Sequence, residues 1–561
     1  MTVSTYTSIS SLASASGFAD GDVAMVSLLN SETGVISYVH RSASTKVPGL
    51  PGWDPISPVY LEHYGISTSA TKAAPTADQT AALQAAINGT EGDLLFTGFV
   101  LVKDKISLSN KCRLHCPSGR TNGGLTVKAG FNMSATSVLE GVDIENGVSI
   151  GDLTVWFAQP STTDRSSLRQ YPPCVDLNDG TRNKIDNLRI EGAWVGIKGN
   201  SNVGGTRFGH LELGCFDTNI EVDGALDFVH CESIAIWPYG SAGSARESIF
   251  YDGVTVGLKL GRVDNWNCDK LSCFRVKSII DNPASDSRLP AQFGSIALDG
   301  NDALLILGGG SSQIANIYST KNTVAPGTER DITANTGIHT IGLFQAQSGA
   351  DGIVLATGDA ILSITDYQVN QLNGQRRAAI AQQNAQLTIG RARPESNVPR
   401  TAAMFEQQVG ATMRIGELMP RSATPPAVPY VKFNSDEVLN YVETEVFEVD
   451  ANTGWDQGYY TDASQNMSKG RLRLLPFNSE GSEVAWTDQN GNISFIFDVF
   501  RDGGADVLRI RRPSGGSYLE LLENGNLKMP LAPVFADNAA AASLETNTIY
   551  KTPTGELRIK F

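Results

Sequence analysis

Short apolar-x-apolar triplets recur along the chain at a nearly constant step. They are Leu153-Thr154-Val155, Leu188-Arg189-Ile190, Leu211-Glu212-Leu213, Ile234-Ala235-Ile236 and Leu271-Ser272-Cys273. Their leading residues stand 35, 23, 23 and 37 positions apart. Each triplet is preceded, three places earlier, by a further apolar residue: Ile150, Ile185, Phe208, Cys231 and Cys268. From Leu271 the next steps reach Ile296 and Ile317, and the series continues through Ile341, Ile364 and Leu387 at 24, 23 and 23. A period of about 23 residues carrying one short alternating strand predicts a solenoid of stacked coils. At a strand spacing of ~4.8 Å, roughly a dozen coils make a rod on the order of 60 Å long.

Bulk properties narrow the function classes. With 18% charged and 41% hydrophobic residues the chain reads as folded. A net charge of −15 argues against nucleic acid, which demands phosphate-neutralising Lys and Arg. It also means that an acidic polysaccharide would be held by local arginines rather than by the overall field. No apolar run reaches transmembrane length and Met1–Ser10 is polar, so neither membrane insertion nor a secretory signal is expected. The cysteines Cys231 and Cys268 occupy a position where other coils carry Ile or Phe, so the seven cysteines are read as small core residues. Cysteine and histidine spacing gives no metal signature, and no cofactor is expected.

Punctuation sets the organisation. Residues 1–60 form a small module closed by the Pro- and Gly-rich Val47–Pro58. Within 61–100, Thr80–Asn88 is amphipathic, with Asp78 or Thr76 as N-cap and Gly89 as a stop, and Leu94–Phe96 and Phe99–Val102 follow as strands. The solenoid occupies 101–418, and Thr424–Pro429 is a linker. Aromatic-rich stretches around Tyr459-Tyr460, Trp486 and Ile493–Phe497 predict a separate β-sandwich-like domain over 419–530, with Trp455 among its aromatics; a tail covers 531–561.

Several stretches resemble one family. Tyr64-Gly65, the Ala77–Ile87 helix and the Gly92–Val102 strands resemble the opening of pectate-lyase-like right-handed parallel β-helices, an opening common in bacteriophage tailspikes. Phe216–Gly240 and Gly257–Arg262 resemble tailspike coil segments, and Phe535–Ala540 with Tyr550–Leu557 resembles the ends of phage tail proteins. The resemblance implies an all-β virion protein, a homotrimer. Its N-terminal module would bind a phage tail or baseplate protein, and its β-helix would meet a bacterial O-antigen or capsule. A depolymerase, a non-catalytic receptor-binding fibre and a bacterial polysaccharide lyase or epimerase all remain compatible with it.

The two long steps exceed 23 by 12 and 14 residues, and both extras leave the coil after the same strand. Equivalent positions share a face, so the insertions 156–173 and 237–251 are expected to wall a saccharide groove about three coils, roughly 14 Å, wide. Tyr171, Trp194, Trp237 and Tyr239 offer faces for sugar rings, and Arg165, Arg169, Arg189 and Arg246 offer forks for carboxylates or hydroxyls. Stacking also aligns carboxyl groups: Asp186, Glu232 and Asp269 share one position, Asp227 and Asp264 another, and Glu212 points outward beside Arg189. A glycosidase needs two carboxyls ~5–5.5 Å apart for retention or ~6.5–9.5 Å for inversion. Glu232 with Asp269, or Glu212 with Glu232, fits either. Asp227 and Asp264 also suit backbone-bonded turn residues. A lyase would instead use His210, His230, Lys270 or Tyr239 as base beside an arginine.

Overall fold

Each coil turns a corner inside its repeated motif, and that corner explains the three-residue offset in the sequence. In the computed structural model, the strand Ser149–Phe157 pairs with Lys184–Glu191, then Thr206–Gly214, Ala225–Ile236, Val263–Phe274 and Pro290–Asp299, all parallel. Between the inward Ile185 and Leu188 two successive residues, Asp186 and Asn187, face out, so the strand bends there. Asp152 and Asn187 take the bend with φ of 52° and 48°, a left-handed backbone that Asp and Asn tolerate better than other side chains. The Asn187 amide donates to Asp152 Oδ1 at 2.8 Å, and His210 Nδ1 meets Ser233 Oγ at 2.7 Å, so polar side chains ladder up the outer corner.

The structure describes residues 2–434 except 28–34, 109–110, 142–146, 179, 281–289, 301–303, 322–330, 349–352, 373–376, 397–404, 409, 419–420 and 423–430. Beyond these it describes 482–487, 493–502, 505–511, 517–522, 527–529, 532–537, 539–544, 549–554 and 557–559. Among the described residues, one all-parallel sheet carries the long corner strands and a second all-parallel sheet carries the short ones, from Ile106–Leu108 to Val431–Asn434. The architecture is a parallel β-helix. Its core is a set of stacked columns. Leu153, Leu188, Leu211, Ile234, Leu271 and Ile296 are each at most 1% exposed, and burying each such side chain stabilises by about 1.5–3 kcal/mol. All seven cysteines are buried and outside any disulfide, and burial pushes the Cys112 thiol up to about 12.

Pairing confirms the register of the first five triplets, its continuation through Ile296 and Ile317, and the step from Ile341 to Ile364, and corrects two later steps. Ile317 stacks on Phe344, not Ile341, and Ile364 stacks on Ile389, not Leu387. The coils also continue past 418, because Val431–Asn434 pairs with Phe405–Gln408. At the other end, the helix Thr80–Gly89 covers the first coils. Its N-cap is Gln79 rather than Asp78 or Thr76, though Asp78 Oδ1 still accepts from Thr80 N at 3.0 Å. Preceding it, Val3–Tyr6, Val23–Ser27, Val35–His40 and Trp53–Pro55 form a four-stranded sheet.

A second unit spans Gly454–Phe561. Its described residues form a five-stranded antiparallel sheet from Ser482–Thr487 to Leu527–Lys528 and a hairpin of Ile549–Lys551 with Leu557–Ile559. A second layer facing that sheet, as a sandwich requires, is not among the described residues. Trp455, Tyr459, Tyr460 and the linker Thr424–Pro429 lie outside them.

Candidate functional site

Both insertions leave after equivalent residues, Val155 and Ile236, which lie three coils apart through Ile190 and Leu213. They do not stand apart as walls. Arg165 of the first reaches the second, pairing with Asp252 at 2.6 Å and donating to the Ile249 carbonyl at 3.0 Å. Arg246 of the second donates to the Gln159 carbonyl at 2.9 Å. Leu168, Phe216 and Ile249 close a small apolar core between them, with Trp194 packed against it and Arg165 5.7 Å above its ring. The expected groove between the insertions is therefore filled by the insertions themselves.

Several candidate residues are thereby spent on packing. Tyr171 is 2% exposed, with its hydroxyl donating to the Ala158 carbonyl. Arg169 is exposed but donates to the same carbonyl at 2.9 Å. Arg246 and Trp194 hold the seam just described. Asp227 is an exposed residue whose Oδ1 accepts from the Phe228 amide at 2.8 Å, and Asp264 lies 3.9 Å from Arg262 Nε.

What the fold does bring together lies at the foot of the second insertion. Glu212 presents one oxygen to Arg120 and the other to Arg189 Nη1 at 3.3 Å. Arg189 also contacts Glu191 through Nε at 2.6 Å, a close but poorly aligned ion pair. Glu191, whose side chain is 3% exposed, is further paired with Lys72. A buried carboxylate is tolerated only when neutralised, so Glu191 serves as the anchor that aims Arg189 outward. The same guanidinium lies over the Tyr239 ring, 4.6 Å from its centroid. Burial, and next the Glu212 charge, push the Tyr239 phenol above its ordinary value.

Lys72 arrives on a segment ahead of the helix, fastened where Thr126 Oγ1 donates to the Lys72 carbonyl at 2.7 Å and Lys128 donates to the Ala73 carbonyl at 2.6 Å. Beside the cluster, Trp237 is 41% exposed and lies against Phe274, ring centroids 3.9 Å apart. Tyr251 meets the edge of Phe274 at 5.5 Å. This makes an outward aromatic platform adjoining the ionic cluster.

Around the corner, Glu232 is exposed and 3.6 Å from His210 Nε2. Asp269 is exposed one coil on, aligned with Glu232 through the Cys231–Cys268 pairing. Glu232 thus keeps Asp269 as a neighbour on one face and stands apart from the strand face that carries Glu212. Chemically, a carboxylate held between two guanidiniums offers a fixed negative charge that can serve as nucleophile, base or electrostatic stabiliser. Glu191, Lys72, Arg120, Phe274 and Tyr251 were not singled out by sequence. Glu191 is recoverable from register, since it pairs with Trp156, but Lys72 and Arg120 come from segments with no repeat. Among the described residues no cluster of three or more metal-ligating side chains occurs.

No family model matches the chain, and no curated protein matches it. Among solved structures it is similar to the Acinetobacter phage vb_AbaP_AS12 gp42 tailspike, at 10% identity and a TM-score of 0.45, over 93% of this chain and 91% of that one. It is also similar to the Acinetobacter phage vB_ApiP_P1 tailspike protein, at 9% identity and 0.34, over 99% and 95%. The Siphovirus 9NA tailspike receptor binding domain matches at 11% identity and 0.29, over 85% and 94%. Values this low transfer no residue role.

Proposed function

We propose that the chain is a phage tailspike subunit that holds a bacterial surface polysaccharide against the coils around Glu212 and hydrolyses it. The observation that carries this reading is the placement of Glu212, accepting from two arginines, beside an exposed aromatic platform. Trp237 and Tyr239 would stack the sugar rings, and Arg189 and Arg120 would orient hydroxyls or a carboxylate. Glu212 would act as the carboxylate that meets the positive charge developing at the sugar, with Glu232 and Asp269 on the far side of the corner as further carboxyls along the same coils. The parallel β-helix and the phage-like stretches at both ends support the virion setting. In it, residues 1–60 would join the tail, 419–530 would assist trimer formation, and the protein would act at the host surface.

A second reading is β-elimination on a uronate, favoured by three cations, Lys72, Arg120 and Arg189, gathered beside the Tyr239 ring. The raised Tyr239 phenol counts against that residue as the base. The test is incubation of the purified protein with capsule and O-antigen preparations, following reducing ends and the ultraviolet absorbance of unsaturated uronates together. Hydrolysis gives reducing ends alone, and Glu212→Gln should lower their rate by about a hundredfold or more while glycan still binds. Absorbance rising with the reducing ends would replace hydrolysis by elimination. Binding with neither signal would leave a receptor-binding fibre.

A further inference from the structure

The coils that carry Glu212 have a second concavity on the other side of their bend. The outward residues ahead of the corner line an open hollow of about 630 Å³. Through Arg207 and Phe228 it continues into an adjoining hollow of about 410 Å³. Two local irregularities shape it. The register between Ala225–Ile236 and Val263–Phe274 slips between Ala225 and Phe228. That bulge turns three successive residues, Leu226, Asp227 and Phe228, toward solvent, leaving Phe228 38% exposed. Two coils before it, Arg182 takes a φ of 58°, stacked against Gly205 at 74°. The left-handed backbone that glycine takes in one coil is thus taken by an arginine in its neighbour, at a conformational cost.

The charge in the hollow runs against that of the chain. Arg182 and Arg207 are both exposed, and neither has an ion-pair partner among the described residues. In a chain of net charge −15, two unpaired guanidiniums therefore share one hollow with an exposed aromatic ring. Among the described residues of its lining Asp227 is the one carboxylate, and with one oxygen taken by the Phe228 amide its other remains for a hydroxyl. The Asn265 amide lies on the adjoining wall.

We propose that this hollow is a second saccharide-binding site, separate from the Glu212 face, that takes a carboxylate-bearing sugar unit. Guanidinium forks match a carboxylate in two parallel hydrogen bonds. The Phe228 ring stacks on the apolar face of the sugar, and Asp227 and Asn265 meet its hydroxyls. Such a site holds an acidic chain on the same coils that carry Glu212, without taking part in turnover. It goes beyond the hydrolytic reading and does not depend on it.

The test uses the full-length protein, with trigalacturonate as the acidic probe and maltotriose as its neutral counterpart, titrated calorimetrically at low ionic strength. Trigalacturonate should bind the parent and Glu212→Gln alike, and maltotriose more weakly. The double substitution Arg182→Ala/Arg207→Ala should weaken trigalacturonate by about tenfold or more, the loss expected when charge-assisted bonds are removed. Arg207→Lys, which keeps the charge but not the fork, should fall between and guards against a folding defect in the double variant. Equal binding by the double variant, equal binding of maltotriose, or no binding of trigalacturonate by the parent would each overturn the proposal. If the parent binds nothing and Phe228→Ala lowers the oligomeric mass, the hollow belongs to a contact between copies of the chain.

Discussion

At the scale of single residues, exposure separates side chains that hold the fold from those free to meet a ligand. Trp237 keeps 41% of its surface in water and rests one face on Phe274. Trp237→Ala should therefore leave the melting temperature nearly unchanged and weaken glycan binding by about tenfold, as removal of an aromatic anchor does. A binding isotherm unchanged by the substitution would move the glycan off this face. His63 shows the opposite situation. It is 1% exposed, receives the Tyr60 amide on Nδ1 at 3.0 Å and contacts the Ser37 carbonyl through Nε2 at 3.1 Å. Burial pushes its imidazole down to about 4 from 6.5. The folded state thus binds fewer protons than the unfolded one between those values. The contribution is whole above the unfolded value and shrinks as pH falls toward the folded one, by roughly 3 kcal/mol in all. Because His63 bridges Val35–His40 to the turn Leu61–Tyr64, acid should loosen the N-terminal sheet first. Urea unfolding at about pH 7.5 and about pH 4.5 should show that loss in the parent and a smaller one in His63→Gln. Equal losses would assign the acid sensitivity to other groups.

At the scale of the element, the corner governs both stability and what the sequence could disclose. The position after the corner apolar residue is Gly in Gly294, Gly342, Gly390 and Gly416. A Cβ on Gly342 would stand 2.6 Å from the Ala315 carbonyl oxygen of the coil before, and one on Gly390 2.8 Å from that of Thr365. These clashes are with backbone, so Gly342→Ala should cost about 1–3 kcal/mol by overpacking, read as a lower melting temperature with the same parallel-sheet circular dichroism. An unchanged melt would mean that the coils part freely at that corner. The same corner made the early register legible. In Ile185-Asp186-Asn187-Leu188 the polar pair marks the bend, so the triplets at 153, 188, 211, 234 and 271 align without ambiguity. Later, Ile314 and Ile317 flank one corner while Ile341 and Phe344 flank the next. Ile317 has Ile341 24 residues on and its true partner Phe344 27 residues on, so a period near 23 points to the wrong flank of the corner. The meeting of the insertions was illegible for another reason. Arg165 and Asp252 are 87 residues apart, and nothing local in either loop announces the other.

At the scale of the whole β-helix, the position of the candidate site bears on how the proposed hydrolysis would cut a polymer. Glu212, Tyr239 and Trp237 lie on the flank of the stack, with paired coils continuing from Ser149–Phe157 back to Gly92–Leu95 on one side and on to Thr412–Leu418 on the other. Under the proposed hydrolysis, a site on the flank of the stack lets a chain lie across it with residues on both sides of the scissile bond. Such geometry cuts within polymers, whereas an end-recognising enzyme needs a closed subsite for the terminal sugar. During digestion of a high-molecular-weight capsule, the viscosity should therefore collapse while only a small part of the eventual reducing ends has formed. Products should be oligosaccharides of narrow size, set by the repeat unit of the glycan. Reducing ends that rise in proportion to the fall in viscosity, with monosaccharide as first product, would place the active site in an enclosed end pocket and remove the Glu212 flank as the site of cleavage.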